Sequence, residues 1–194
     1  MVEYEIHLTI APVPSAQWPA FERYAASIGA KPMVIELARG KHPVQPMLTL
    51  CRDGELEEVV RFAQSLAQSA AQSNHKVLRC KIEQDAIAHS GHHSGGHHYF
   101  EWHGRVVVSA SARSQLAALC EAFGGHLSNN AIRGGDIRFV TLREPARLAD
   151  LAARVAAMCS VLTEQGWVIS KQQWERVVYD SNLTLDSGWL EAAQ

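Results

Sequence analysis

The chain lacks most of the features that name a function outright. It has four cysteines (Cys51, Cys80, Cys120 and Cys159) and no C-x-x-C pair. Neither a disulfide framework nor a structural zinc site is therefore expected, and buried reduced thiols are. It lacks an excess of either charge: 18 Lys and Arg against 20 Asp and Glu leave a formal charge of −2. That excludes the basic footprint of bulk nucleic-acid binding. No apolar run approaches the roughly 18 residues of a membrane span. The opening MVEYEIHLTI enters a strand pattern without a basic leader, so a cytoplasmic, non-membrane protein is expected. Walker, G-x-G-x-x-G, G-x-S-x-G and H-E-x-x-H motifs are also absent, which removes the commonest nucleotide, hydrolase and metalloprotease readings.

What is present is an internal echo. Tyr4-Glu5-Ile6-His7 and Phe100-Glu101-Trp102-His103 share an aromatic-Glu-apolar-His pattern 96 residues apart. The echo continues in order. Ile28-Gly29 answers Phe123-Gly124, Arg39-Gly40 answers Arg133-Gly134, Thr49-Leu50 answers Thr141-Leu142, and Glu83 answers Glu175. The spacing drifts only from 96 to 92, as a few loop deletions would produce. Ordered matches of this kind predict a tandem duplication. Residues 1–85 form the first unit, 86–98 a His/Gly/Ser-rich linker, and 99–194 the second unit with a C-terminal extension.

Each unit reads strand-helix-strand-strand-helix-strand. Tyr4 to Ile10 alternates apolar and polar residues, the period of a half-buried strand. Ser15 is placed to cap a helix that Gly29 stops. Strands follow near Met33–Leu37 and Met47–Cys51. A helix runs from Glu55 to about Ser73, and a strand from Lys76 to Glu83. The second unit repeats this from Tyr99, with Ser114 as the helix cap and a closing strand from Trp167 to Tyr179. The expected fold is α+β: two ferredoxin-like βαββαβ units with antiparallel sheets, both helices on one face of each.

Strand alternation then sorts the side chains. Ile6, Leu8, Leu48, Leu50, Leu78, Cys80 and Ile82 face the helices in the first unit. The opposite face carries Glu5, His7, Thr9, Thr49, Arg79, Lys81 and Glu83. In the second unit it carries Glu101, His103, Arg105, Thr141, Arg143, Lys171, Gln173 and Glu175. An exposed sheet face is ordinarily a loose mixture of Thr, Lys and Glu. Here the polar identities recur at matched positions, and histidine, carboxylate and cation stand side by side. Turning the two faces together would give a shared polar cleft. Histidine plus carboxylate is also compatible with a divalent metal on His7, His103, Glu5 and Glu101, although no cofactor is required.

A two-lobed α+β chain with one strand histidine per lobe resembles the 2H phosphoesterase superfamily, whose mark is a His-x-Thr/Ser on a strand of each half. His7-Leu8-Thr9 matches. His103-Gly104-Arg105 departs, with Arg in place of the hydroxyl residue. The resemblance implies that His7 and His103 share acid and base duty on a small anionic, phosphorylated ligand. Thr9, Lys81, Arg105, Arg143 and Lys171 would then be the anion contacts, and Glu5 and Glu101 would orient the imidazoles. Glu83, Thr141 and Glu175 complete the expected ligand-binding set. The alternative is a non-catalytic ligand-binding or assembly module whose open sheet face is covered by another chain, for instance in a homo-oligomer.

Three features stand outside this scheme. His89, His92, His93, His97 and His98 lie among Gly and Ser, which reads as a linker with adventitious metal affinity. Asp180, Asn182 and Asp186 lack the spacing of a cation loop, so the tail reads as turns anchored by Trp189. His42, His75 and His126 read as surface or loop residues.

Overall fold

The computed structural model describes residues 2–88, 99–132 and 134–188. The first half runs β1 (Val2–Ile10), α1 (Trp18–Ser27), β2 (Lys31–Leu37), β3 (Val44–Gly54), α2 (Leu56–Gln72) and β4 (Val77–Asp85). The second runs β5 (Tyr99–Val107), α3 (Arg113–Glu121), β6 (His126–Asn130), β7 (Ile137–Glu144), α4 (Leu148–Glu164) and β8 (Ile169–Asp180). The class is α+β, and the order of elements is the same in both halves. The expected helix caps are corrected. Short 3-10 turns at Ser15–Gln17 and Ala110–Ala112 lead straight into α1 and α3. Neither Ser15 nor Ser114 makes a side-chain cap hydrogen bond.

Helix stripes explain the packing. In α2 the buried residues are Val59, Ala63, Leu66 and Ala70; in α4 they are Leu151, Val155, Met158 and Leu162. Both sets follow the i, i+4, i+7, i+11 spacing that puts one face of a helix against a sheet. The first helices contribute Phe21 with Ala25, and Leu116 with Cys120. Each half has its own core. One gathers Ile6, Leu8, Leu48, Cys80 and Ile82 beneath α1 and α2, and the other gathers Trp102, Val106, Val140 and Leu142 beneath α3 and α4. Full burial of each such side chain contributes about 1.5–3 kcal/mol.

Trp102 fits its strand because the next inward position is Gly104. A Cβ there would overlap the indole, lying 2.7 Å from Cζ2. The indole Nε1 donates to Gln172 Oε1 at 3.0 Å, which ties β5 to β8.

The two polar faces do not stack across a cleft, as the sequence led us to expect. Instead the sheets join edge to edge into one closed antiparallel barrel, in the order β1-β3-β2-β6-β7-β5-β8-β4. One seam pairs β2 with β6 through Ile35–Asn130, Glu36–Asn129 and Leu37–Ser128. The other pairs β4 with β8, from Lys81–Asp180 to Asp85–Glu175. Closure satisfies the edge backbone groups that each half would otherwise leave open. It also turns both polar faces inward, so the assembly reading through that face is corrected: the chain's own other half covers it. Among the described residues no helix is long and apolar enough to cross a membrane. The linker histidines 89–98 and Trp189 lie outside the described residues.

Candidate functional site

Within the barrel is a lumen of about 370 Å³. Its charged wall comes from β1, β4, β5 and β8, where alternation points Glu5, His7, Thr9, Lys81, Glu83, Glu101, His103, Arg105, Lys171 and Glu175 inward. Thr49 and Arg143 stand behind this wall, each bonded to a residue on it. The opposite wall is mixed: Met33, Ile35 and Leu37 of β2, Met47 of β3 and Phe139 of β7 supply apolar surface, with Lys31, Gln45, Ser128, Asn130 and Thr141 among them. Leu37 and Ile35 pack together apart from both helix-covered cores.

Each half builds the same three-residue unit. Thr49 lies directly across the ladder from His7, and Thr141 directly across from His103. In both pairs Nδ1 is 2.9 Å from the hydroxyl. Nε2 of His7 reaches Glu83 at 2.8 Å, and Nε2 of His103 reaches Glu175 at 3.0 Å. Of the expected orienting carboxylates, Glu101 pairs with His103 at 3.6 Å, while Glu5 stands 3.9 Å from His7, farther than Glu83. The two units meet through Lys81, whose ammonium bridges Glu83 and Glu101. A continuous relay thus runs His7–Glu83–Lys81–Glu101–His103–Glu175.

Electrostatics follows from these contacts. Burial works against charging His103, yet Glu175 and Glu101 outweigh it and raise its pKa to about 10. Burial likewise opposes charging His7, and Glu83 overcomes it, leaving its pKa above the ordinary value. At neutral pH the His103 ring is therefore an imidazolium ion that donates from both nitrogens. Burial pushes Glu83 and Glu101 upward, but Lys81 and the neighbouring cations hold both carboxyls below the ordinary range. Glu175 moves the other way, raised by burial and by the nearby Glu83.

One end of the lumen is sealed. After β8 the chain turns through a 3-10 segment, Leu183–Asp186, that buries Asp186. Asp186 accepts from Arg79 at 2.9 Å and from Arg143 at 2.6 Å. Arg79 also donates to both oxygens of Asp180, and its Nη2 contacts the Tyr99 hydroxyl. Arg143 makes a two-point contact with Glu101 at 2.8 and 2.9 Å and lies over the Tyr99 ring. Sequence reasoning missed this cluster, because nothing in it reveals that β8 pairs with β4. Asp180 and Asp186 are arginine partners here and do not form an open cation loop. His75 is buried against Phe21 and Tyr24, and burial lowers its pKa. His126 is buried on β6, where Arg39 approaches its Nδ1 at 3.2 Å.

For a metal, Glu101, His103 and Glu175 offer ligand atoms within 4.8 Å of one another. Of the four expected ligands, only His103 and Glu101 belong to this group. A divalent ion would have to displace Lys81 from Glu101 and strip a proton from His103. The ammonium already supplies the positive charge that a metal would bring.

No family model matches the chain, and no curated protein matches it. Solved structures similar to it include a protein with an inferred monooxygenase assignment from Fusobacterium nucleatum, at 8% identity and TM-score 0.38, covering 98% of each chain. An anthrone oxidase-like protein is 12% identical at TM-score 0.33, covering 99% of this chain and 97% of that one. A protein with an inferred chlorite dismutase assignment is 9% identical at TM-score 0.33, covering 92% and 96%. Likeness at this level transfers no activity. The 2H phosphoesterase resemblance is nevertheless overturned. The two-lobed cleft that the resemblance requires is replaced by a closed barrel.

Proposed function

We propose that the chain binds one small anion with an apolar body inside the barrel, and that residues 1–85 and 99–194 are tandem copies of one ferredoxin-like unit. The observation that carries the binding proposal is the division of the lumen wall. Most of the ionised groups lie on one side, and Met33, Ile35, Leu37, Met47 and Phe139 supply the apolar surface of the other, with Lys31 and uncharged polar residues among them. A volume of about 370 Å³ falls at the lower end of small-molecule sites, roughly 300–1,000 Å³. A water-filled lumen would leave that apolar side wet, and an apolar ligand body removes the cost.

The expectation of a phosphorylated ligand is set aside. Arg79, Lys81 and Arg143 are committed to carboxylates, and Glu5, Glu101 and Glu175 of the same wall would repel a second negative charge on the ligand. A monoanion suits the wall better.

Calorimetric titration with 2-naphthoate tests the proposal. One molecule should bind per chain. Ile35→Arg, which fills the lumen from β2, should abolish binding with the far-ultraviolet dichroism unchanged. Absence of binding to the unmodified chain, or undiminished binding to Ile35→Arg, would contradict the proposal.

A further inference from the structure

We propose that Arg105 and Lys171 form a carboxylate clamp at the unsealed end of the lumen, so that the ligand is an apolar carboxylic acid lying along one cross-strand row. The inference rests on the lumen-binding reading above and adds the ligand's acid group and its orientation.

The row is continuous in register. Leu37 of β2 faces Ser128 of β6, Ser128 faces Phe139 of β7, Phe139 faces Arg105 of β5, and Arg105 faces Lys171 of β8. All five residues line the lumen. Directly opposed residues in an antiparallel ladder stand about 5 Å apart. The row therefore presents an apolar bed at Leu37 and Phe139, and two cations where the bed ends. Among the described residues neither cation has a carboxylate partner. The Nε of Arg105 is buried without a hydrogen-bond partner, whereas Arg79, Lys81 and Arg143 are each matched by carboxylates.

The guanidinium fork favours a planar carboxylate, which it can meet with two parallel hydrogen bonds. Lys171 is exposed and adds a mobile point charge. Glu101 and Glu175 lie farther along the same two strands, so a second negative charge on the ligand would be repelled.

The test pairs 2-naphthoate with its neutral isostere 2-naphthamide, titrated into the full chain by calorimetry. The unmodified protein should prefer naphthoate by about tenfold or more, the scale of one charge-assisted pair. Arg105→Gln should erase the preference, Lys171→Gln should weaken it, and Arg105→Lys should keep part of it. Exposed Arg61→Gln on α2 should leave it intact. If both ligands bind the unmodified chain equally, or Arg105→Gln keeps the preference, the clamp is wrong and the lumen reading survives. If neither ligand binds, both fail together.

Discussion

The two ends of the lumen use equivalent positions in opposite ways. With the spacings of the sequence echo, Arg79 of the first half corresponds to Lys171 of the second, Thr9 to Arg105, and Met47 to Phe139. At one end Arg79 is buried and held by Asp180, Asp186 and Tyr99. At the other end Arg105 and Lys171 meet no carboxylate among the described residues. One scaffold position serves once to lock the barrel and once to leave charge on offer. The difference originates beyond the end of β8, where the chain continues into the segment that delivers Asp186.

A large asymmetry in stability is expected from this. Arg79→Ala leaves Asp180 buried without its cation and Asp186 with Arg143 alone, and should cost about 3–5 kcal/mol in urea unfolding. Lys171→Ala should stay within about 0.5 kcal/mol. Comparable costs for the two substitutions would dissolve the distinction between a sealed end and an open one.

The cores differ in a matched way. Where the first half has Ile6 and Leu8, the second has Trp102 and Gly104. Leu8→Ala should cost about 2–5 kcal/mol by opening a cavity. Gly104→Ala should cost about 1–3 kcal/mol by overpacking the indole. Chemical denaturation measures both, and a neutral Gly104→Ala would mean that the indole relaxes without strain.

The two imidazoles offer a subtler contrast. His103 is the more open of the pair, with 24% of its side chain exposed against 11% for His7. Its folded pKa of about 10 exceeds the unfolded value of about 6.5. Its contribution to stability is therefore complete below about pH 6.5 and is lost as pH rises through about 10. Glu175 and Glu101 set the upward shift against the burial of the ring. His103→Gln should flatten the decline in stability between those pH values. An unchanged profile would show that the ring is not held as an imidazolium. Nitrogen-detected magnetic resonance of the ring reads the same property directly.

Much of this was legible in the sequence. Alternation in β1, β4, β5 and β8 separated helix-facing from lumen-facing side chains, and the helix expected from Glu55 to about Ser73 is α2. What could not be read was the closure. The seams β2–β6 and β4–β8 join strands whose edges carry no pattern naming their partners. The choice between Glu5 and Glu83 as the partner of His7 was equally hidden. A same-strand neighbour two residues away and a diagonal one on the next strand lie at similar distances, about 7 Å, and sheet twist decides between them. The apolar wall escaped notice because Met33, Ile35 and Leu37 look like ordinary core. They face inward only because the barrel closes.

The most direct measurement is a crystal structure of the chain with 2-naphthoate. The ring should lie between Phe139 and Leu37 inside the barrel, with its carboxylate at the guanidinium of Arg105. A ligand on the outer surface, or one turned with its carboxylate toward Leu37, would contradict the clamp and the orientation it imposes.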